Sequence, residues 1–386
     1  IHGTGAISSI PVLWELGLEP IMVDSQNKMD PNFPTVESPN PENAEALKEG
    51  IALAKKTGAI AVIATDPDGD RMGVASRDEK KNYVLLNGNE ISAVMAEYRI
   101  SRLKEFSCLP ENGSKRATII KTFVTSPLID AIAEGHGLNC VNTLTGFKWA
   151  GQKIRQYEEA IKKELLDNEG IAINYDDTDY YSKIDAGIKY GKAFIFACEE
   201  SYGYLPYDFA RDKDANASII AYCEILSYLK SKNTTILKYL DNIYLKYGYY
   251  DQETVNIYYE GATGSKKINN IINSYKSDPP ESIFEQKVIK HHDFEKPGKL
   301  DEDNCPVPIE KFHVFELENK YSVAVRASGT EPKIKLFLKK LSTDVAILDK
   351  LSETKINLNN IRKFCPIFTI DYTGKNKNLI NFGINI

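Results

Sequence analysis

The chain has 386 residues, 42% hydrophobic and 26% charged, which predicts a globular protein of two or three domains at roughly 150 residues each. Its 48 basic and 54 acidic residues are mixed along the sequence and give a net charge of −6. We therefore expect no basic surface that would bind nucleic acid. No apolar run approaches the roughly 18 residues needed to span a bilayer, and a membrane role is not expected.

The first hundred residues alternate helical and extended patterns, which indicates an α/β layer. A short helix is predicted over Pro11–Leu16 and a short strand over Ile21–Val23. Asn40 is the predicted N-cap of a helix that continues to Thr57. The unbroken run of small apolar residues Ala59–Ala64 is typical of a strand covered on both faces in a parallel sheet.

A second α/β pattern follows between residues 106 and 235. Its predicted elements are strands at 117–120, 138–141 and 193–197 and helices at 126–134 and 215–229. The Asp- and Tyr-rich stretch 168–189 interrupts this pattern. We interpret it as an insertion that forms a mobile or partner-facing loop.

The pattern changes again after residue 235, where Pro and Gly turn signals precede three short strands and a helix. The strands are predicted at 312–317, 321–325 and 334–338, the helix at 345–363, and an Asn-rich frayed tail after it. The predicted fold class is therefore α/β, with two doubly wound-type α/β domains, 1–105 and 106–235, followed by a smaller α+β domain, 236–386.

Three carboxylates at alternate positions, Asp66, Asp68 and Asp70, leave the carboxyl end of the strand 59–64. Open α/β sheets bind ligands at this edge, and crowded carboxylates require a hard dication, so we predict a Mg²⁺ site. A solvated acidic turn is one alternative, and a phosphohydrolase with Asp66 as nucleophile and Asp68 as acid is another. An EF-hand is excluded, because Arg71 and Arg77 replace its required Gly and Glu.

A second acidic loop, Glu199–Tyr204, follows the apolar stretch 193–197. Its adjacent acids, hydroxyl group and glycine predict a loop that binds vicinal hydroxyl groups of a sugar through charge-assisted hydrogen bonds. A surface acidic turn is the alternative. Asp214, further along, is interpreted as the N-cap of the helix 215–229.

Two further features carry groups that could bind phosphate. In the third domain, Arg326, Ser328, Gly329 and Thr330 supply a guanidinium fork, hydroxyl groups and open backbone amides between two strands. An ordinary hairpin turn is the alternative. Lys148, in a loop after the strand 138–141, could contact phosphate or act as a base. Considered by itself, it is more simply explained by a structural role.

Taken in chain order, these loops resemble those of the α-D-phosphohexomutase superfamily over nearly the whole chain. His2–Gly5 and Thr145–Trp149 resemble motifs of its second and third domains. Thr145–Trp149 and Glu199–Tyr204 are also similar to loops of the phosphoglucomutase branch, which includes phosphopentomutases. The resemblance implies reversible phosphoryl transfer between the 1- and 6-positions of a hexose phosphate through a bisphosphate intermediate; a pentose phosphate substrate is the alternative.

The resemblance also implies a role for each candidate residue. Mg²⁺ would be held by Asp66, Asp68 and Asp70. The sugar phosphate substrate would be bound by Glu199, Ser201, Arg326, Ser328, Gly329 and Thr330. Arg71 beside the metal and Lys148 near the sugar would be catalytic.

The family's nucleophile is a phosphoserine on a Ser-His-Asn-Pro loop, and none of the five histidines here follows a serine. The chain also begins at Ile1 without a Met. We therefore expect a fragment of a larger isomerase that is inactive by itself; a non-catalytic phosphosugar-binding protein is the alternative. The six cysteines have no paired spacing, which favours reduced thiols in the cytoplasm.

Overall fold

A computed structural model describes residues 1–259, 261–283, 286–328 and 333–342. The chain forms two compact units, Ile1–Tyr247 and Gly248–Ile386. Both combine helices with β-sheets, and the predicted α/β class is confirmed. Within the described ranges, none of the helices is both long and apolar enough to cross a bilayer.

The first half of unit 1 contains three helices and one small sheet. The helices are α1 (Gly5–Glu15), α2 (Lys48–Thr57) and α3 (Gly88–Glu105), and the strands are β1 (Ala61–Thr65), β2 (Met72–Arg77) and β3 (Tyr83–Leu86). The helix predicted over Pro11–Leu16 begins six residues earlier, because Gly5 packs tightly against Thr65 and Pro11 lies inside the helix. The helix predicted from Asn40 begins only at Ala44, as a 3₁₀ turn.

The parallel sheet expected around residues 59–64 is absent from this part of the described structure. β1 pairs with β2, and β2 with β3, and both pairings are antiparallel. Only six residues connect β1 to β2, whereas a parallel connection requires a crossover of about a dozen residues or more. β1 consequently lies at the edge of this sheet, and the strand predicted at Ile21–Val23 is not formed.

The second half of unit 1 contains a mostly parallel sheet in the order β5-β4-β6-β7. Its strands are β4 (Ala117–Thr122), β5 (Asn139–Thr143), β6 (Ala193–Cys198) and β7 (Tyr204–Leu205). Its helices are α4 (Leu128–Gly135), α5 (Lys148–Glu169), α6 (Tyr180–Tyr190), α7 (Ala215–Ser231) and α8 (Ile236–Tyr247). The strands and helices predicted for this region are confirmed to within two residues at each end.

The stretch 168–189 is not the loop that its composition suggested. It contains most of α6, whose N-cap Asp179 accepts hydrogen bonds from the amides of Tyr181 and Ser182. Ile184 is buried, and a Cβ at Gly187 would lie 2.6 Å from the Cα of Ala193. The capping and the close approach to β6 explain why this polar segment folds onto the sheet.

Unit 2 has a six-stranded antiparallel sheet in the order β8-β13-β12-β11-β10-β9, with one described α-helix, α9 (Gly261–Ser277), and a 3₁₀ turn at Glu318–Lys320. The strands are β8 (Tyr249–Tyr258), β9 (Ser282–Ile283), β10 (Gln286–Asp293), β11 (Phe312–Leu317), β12 (Tyr321–Ala327) and β13 (Lys333–Ser342). The three predicted strands are confirmed. The helix predicted over 345–363 and the tail lie outside the described residues. The three-domain division stays a prediction. The predicted third domain begins at residue 236, whereas α8 belongs to unit 1.

Candidate functional site

The three predicted metal ligands form a cluster where β1 ends. One carboxylate oxygen from each of Asp66, Asp68 and Asp70 lies within 4.8 Å of the others. Asp66 is buried, Asp70 is half-buried and Asp68 is exposed, so the cluster opens to solvent on one side. Oδ1 of Asp66 accepts hydrogen bonds from the backbone amides of Asp70, at 3.1 Å, and Arg71, at 3.0 Å, which closes the loop.

The loop is supported from behind by the turn His2–Gly5. The amide of Thr4 donates to the carbonyl of Pro67 at 2.8 Å. A Cβ at Gly3 would lie 2.1 Å from that same oxygen. Glycine is therefore required at position 3, and the first residues of the chain fix the position of the acidic loop.

Two cations neutralise part of this acidic charge. Nε of Arg71 lies 3.4 Å from Oδ2 of Asp66, and Nζ of Lys213 lies 2.6 Å from Oδ2 of Asp70. Burial raises the pKa of Asp66 to about 6, with the charges of Asp70 and Asp68 reinforcing it against the hydrogen bond from Arg71. Burial lowers the pKa of Lys213, but the hydrogen bond to Asp70 and the charges of Asp70, Asp212 and Glu199 together outweigh burial and raise it.

The donor set fits Mg²⁺. All three side chains offer carboxylate oxygens, which are the ligands that this ion prefers. Oδ1 of Asp70 is buried and accepts no hydrogen bond among the described residues, although Nε of Arg71 lies 3.7 Å away, so its lone pairs suit a metal ion. Three ionised carboxylates carry more charge than the two nearby cations, so the cluster keeps a net negative charge that a dication would neutralise.

The second acidic loop follows β6 and contains the buried Glu199. Its Oε1 accepts a hydrogen bond from the amide of Gly146 at 2.8 Å. Burial, followed by the charge of Glu200, raises the pKa of Glu199 to about 7. Glu200 is held separately by the hydroxyl groups of Thr122 and Thr125, at 3.1 and 3.4 Å.

The two acidic loops lie side by side in unit 1. Arg71 and Gly203 form an antiparallel bridge, and the amide of Met72 donates to the carbonyl of Tyr202 at 3.0 Å. A Cβ at Gly203 would lie 2.7 Å from Cδ of Lys213 and 3.5 Å from Oε2 of Glu199. Because residue 203 is glycine, the side chain of Lys213 fits between the aspartate cluster and Glu199.

Two other predicted site residues lie at this edge of unit 1. Ser201 is half-buried in the turn of the second acidic loop. Lys148 is exposed at the start of α5, and its Nζ lies 4.8 Å from the ring centroid of Trp149. The hydrogen bond from Gly146 to Glu199 connects the Lys148 loop to the second acidic loop.

The predicted phosphate-binding loop belongs to unit 2. Nε of Arg326 lies 2.7 Å from Oε1 of Glu310, so its charge is partly compensated. The amide of Ser328 donates to the carbonyl of Lys333 at 2.9 Å, as expected at a hairpin end. Gly329 and Thr330 lie outside the described residues.

Lys213 was not singled out from the sequence. It precedes Asp214, which is confirmed as the N-cap of α7 through hydrogen bonds from the amides of Asn216 and Ala217. The placement of Lys213 against Asp70 depends on the pairing of the two acidic loops. Its position in a cap sequence gave no signal of that contact.

Two family models match the chain: "Phosphoglucomutase/phosphomannomutase, alpha/beta/alpha domain II" over residues 1–80, and domain III of the same description over residues 87–164. The predicted resemblance to the α-D-phosphohexomutase superfamily is confirmed over these two stretches. Curated relatives in this superfamily include phosphoglucomutases of Staphylococcus aureus strains N315 and MRSA252, 33% and 32% identical over 348 residues. The match covers 88% of this chain but only 55% of each relative.

Solved structures of the superfamily share the fold. A phosphoglucomutase/phosphomannomutase family protein from Burkholderia thailandensis is 17% identical, with a TM-score of 0.55 over 94% of this chain and 58% of that one. Parafusin, a phosphoglucomutase from Paramecium in its open form, is 17% identical, with a TM-score of 0.52 over 93% of this chain and 56% of that one.

Proposed function

We propose that this chain carries the Mg²⁺- and sugar-phosphate-binding part of a phosphoglucomutase-type isomerase. The proposed reaction is reversible phosphoryl transfer between the 1- and 6-positions of a hexose phosphate, through a bisphosphate intermediate. The observation that carries the proposal is the pairing of the two acidic loops in unit 1, with Lys213 between them. The phosphoglucomutases among the chain's relatives support it.

Each residue has a proposed role in that reaction. Asp66, Asp68 and Asp70 would hold Mg²⁺, which when bound neutralises charge on a transferring phosphoryl group. Arg71 lies against two of these ligands and would orient the phosphate beside them. Because phosphoryl transfer needs charge neutralisation and alignment more than covalent chemistry, these contacts are the relevant ones.

The second loop would bind the sugar. With a pKa of about 7, Glu199 exists in both protonation states near neutral pH, so it can accept from or donate to a sugar hydroxyl group. Ser201 offers a second hydroxyl contact, and Lys148 would assist at the sugar. Arg326, Ser328, Gly329 and Thr330 would anchor the phosphate that is not transferred.

In the family pattern, the phosphoryl donor is a phosphoserine on a Ser-His-Asn-Pro loop. These 386 residues contain no Ser-His pair. We therefore propose binding without mutase turnover for this chain by itself. A non-catalytic phosphosugar-binding protein and a phosphopentomutase stay the alternatives. The cytoplasmic location expected from the cysteines stays a prediction.

Calorimetric titration tests the binding proposal. Mg²⁺ should bind the chain, and glucose 1-phosphate should bind more tightly with Mg²⁺ than without it. Asp68→Asn should lower the Mg²⁺ affinity at least tenfold, because it removes one of three charged ligands from an exposed position that carries no packing. Asp167→Asn, an exposed carboxylate on α5, is the matched control. Equal Mg²⁺ affinities in both variants would reject the site.

A turnover assay separates the enzymatic alternatives. The chain is incubated with Mg²⁺, glucose 1-phosphate and a trace of glucose 1,6-bisphosphate, and glucose 6-phosphate and inorganic phosphate are both measured. We expect neither product to form. Phosphate release that disappears in Asp66→Asn would instead identify a phosphohydrolase; the buried Asp66, with one oxygen held by two amides, argues against that chemistry.

A further inference from the structure

Lys213 lies at the end of the segment 206–213, which connects β7 to α7. This segment contains no helix or strand, so side-chain contacts must hold its backbone in place. Nζ of Lys213 lies 2.6 Å from Asp70 and 3.4 Å from the adjacent Asp212. Asp212 moves with the lysine, whereas the contact with Asp70 requires the segment 206–213 to stay in one position.

The helix α5 contacts Arg211, two residues before Lys213, in two ways. Oε1 of Glu158, whose side chain is only 1% exposed, accepts a hydrogen bond from Nη2 of Arg211. A Cβ at Gly151 would lie 2.4 Å from the carbonyl oxygen of Arg211. Positions 151 and 158 are about two helical turns apart, so both lie on one face of α5. That face therefore holds both the side chain and the backbone of Arg211.

The helix α6 holds the other end of the segment 206–213. Nζ of Lys183 lies 3.2 Å from Oδ2 of Asp208, and both side chains are less than a tenth exposed. Nη1 of Arg211 donates to the carbonyl of Asp208, which connects this ion pair to the one on α5. Removing one partner of a buried ion pair leaves the other charge uncompensated, so both pairs favour a single backbone position.

The same helix α5 also supports the second acidic loop. It begins directly after Gly146 and Phe147, and the amide of Gly146 donates to Glu199. One end of α5 thus holds Glu199, while its middle holds the segment that carries Lys213. The placement of the lysine between Glu199 and the aspartate cluster therefore depends on this helix.

We propose that Glu158 is a positioning residue, which acts through Arg211 to hold Lys213 against Asp70. The inference rests on the proposed function only in taking the aspartate cluster as the Mg²⁺ site. Without the ion pair on α5, the segment 206–213 gains freedom and Lys213 spends less time at Asp70. Because the ammonium group competes with a dication for the same carboxylate, Glu158 lowers the affinity for Mg²⁺ without contacting the metal site.

Glu158→Gln tests this role, since it keeps the shape of the side chain and removes its charge. We expect the Mg²⁺ affinity measured by calorimetry to rise about two- to fivefold. In the Lys213→Met background the same change should alter the affinity by less than about 1.5-fold, because the lysine through which Glu158 acts is gone. Glu159→Gln, at an exposed position paired with Arg155, is the matched control and should leave the affinity unchanged.

Acetylation of Lys213 gives a readout that needs no metal ion. The chain is labelled with N-acetoxysuccinimide in the absence of Mg²⁺, and peptide mass spectrometry compares Lys213 with the exposed Lys55 of α2. An ammonium group held by a carboxylate reacts slowly, so Glu158→Gln should speed the labelling of Lys213 by about threefold or more. Arg211→Met, whose side chain is 33% exposed, removes the other partner and should give the same result. Glu159→Gln should not.

Unchanged acetylation of Lys213 in Glu158→Gln and Arg211→Met would overturn the inference, whether or not Mg²⁺ binds. An equal gain in Mg²⁺ affinity with and without Lys213 would also overturn it, as would a weaker affinity in Glu158→Gln, because each would mean that the ion pair only supports the fold. Failure of the unmodified chain to bind Mg²⁺ would instead reject the proposed metal site, and the acetylation rates would then decide the role of Glu158.

Discussion

At the scale of single residues, Lys213 is the contact that distinguishes this site from a simple acidic turn. It lies 2.6 Å from Asp70 Oδ2, an oxygen that a metal ion would also approach. A lysine ammonium and a dication compete for the same carboxylate charge. In the proposed Mg²⁺ site, the chain's own cation would therefore limit how strongly the cluster binds Mg²⁺ in the absence of substrate.

This competition predicts that Lys213→Met raises the affinity for Mg²⁺ alone by about three- to tenfold, since one unit of opposing charge is removed from Asp70. Titration of MgCl₂ by calorimetry measures the change. Lys230→Met, at an exposed position on α7, should leave the affinity unchanged. Weaker binding in Lys213→Met would mean that the lysine orders Asp70 instead of competing for it.

The contrast between Asp66 and Lys213 shows what local sequence can predict about the site. The carboxylate cluster is encoded within five consecutive residues, and its position after an apolar strand was sufficient to predict it. Lys213 reaches the cluster only because Gly203 pairs with Arg71 and leaves room for its side chain. Pairing between distant loops has no signature in the residues around position 213.

At the scale of elements, predictions succeeded where a strand or helix is buried in a regular layer. The core strands β4 and β6 were located from their apolar residues. The pairing of β1 was predicted wrongly, because a strand that borders an apolar cavity has the same composition as one in a parallel sheet. α6 was not predicted, because its sequence is rich in Asp and Tyr and only three of its residues are buried.

The docking of α6 onto β6 depends on Gly187. A Cβ there would lie 2.6 Å from the backbone of Ala193, closer than atoms can approach. Gly187→Ala should therefore destabilise unit 1 by about 1–3 kcal/mol through overpacking. If α6 were instead loosely attached, the same change would stabilise it by up to about 1 kcal/mol through helix propensity.

The sign of this change is measured by urea denaturation. Trp14 and Trp149 are the only tryptophans, so fluorescence reports unit 1. Asp185→Ala, at an exposed position on the same helix, should change the free energy of unfolding by less than about 0.5 kcal/mol. A stabilising effect of Gly187→Ala would contradict the close packing of α6 on β6.

At the scale of the whole molecule, the two units bury ionisable groups of opposite kinds. In unit 1, burial raises the pKa of Asp241 to about 7, where Glu79 reinforces the shift and Lys238 opposes it. In unit 2, His291 is stacked on Phe315 with ring centroids 4.5 Å apart. Burial and the adjacent His313 lower the pKa of His291 to about 4.

These shifts act on stability in opposite directions. A carboxyl group with a raised pKa binds its proton more tightly in the folded state, so its unit is stabilised as the pH falls from about 7 towards 4. A histidine with a lowered pKa takes up its proton more readily when unfolded, so its unit loses stability as the pH falls from about 6.5 towards 4. Burial lowers the pKa of His313 as well, against the charges of Asp293 and Glu295.

We therefore predict that acidification from about pH 7.5 to pH 5 stabilises unit 1 and destabilises unit 2, each by on the order of 1 kcal/mol after solvent screening is allowed for. Urea denaturation measures unit 1 by tryptophan fluorescence, and amide exchange at Phe315 and Val323 measures unit 2. Asp241→Asn should reduce the first response and His291→Gln the second, each leaving the other unit unchanged. Responses of the same sign in both units would show that other groups, chiefly the remaining carboxylates, control the pH dependence of this protein.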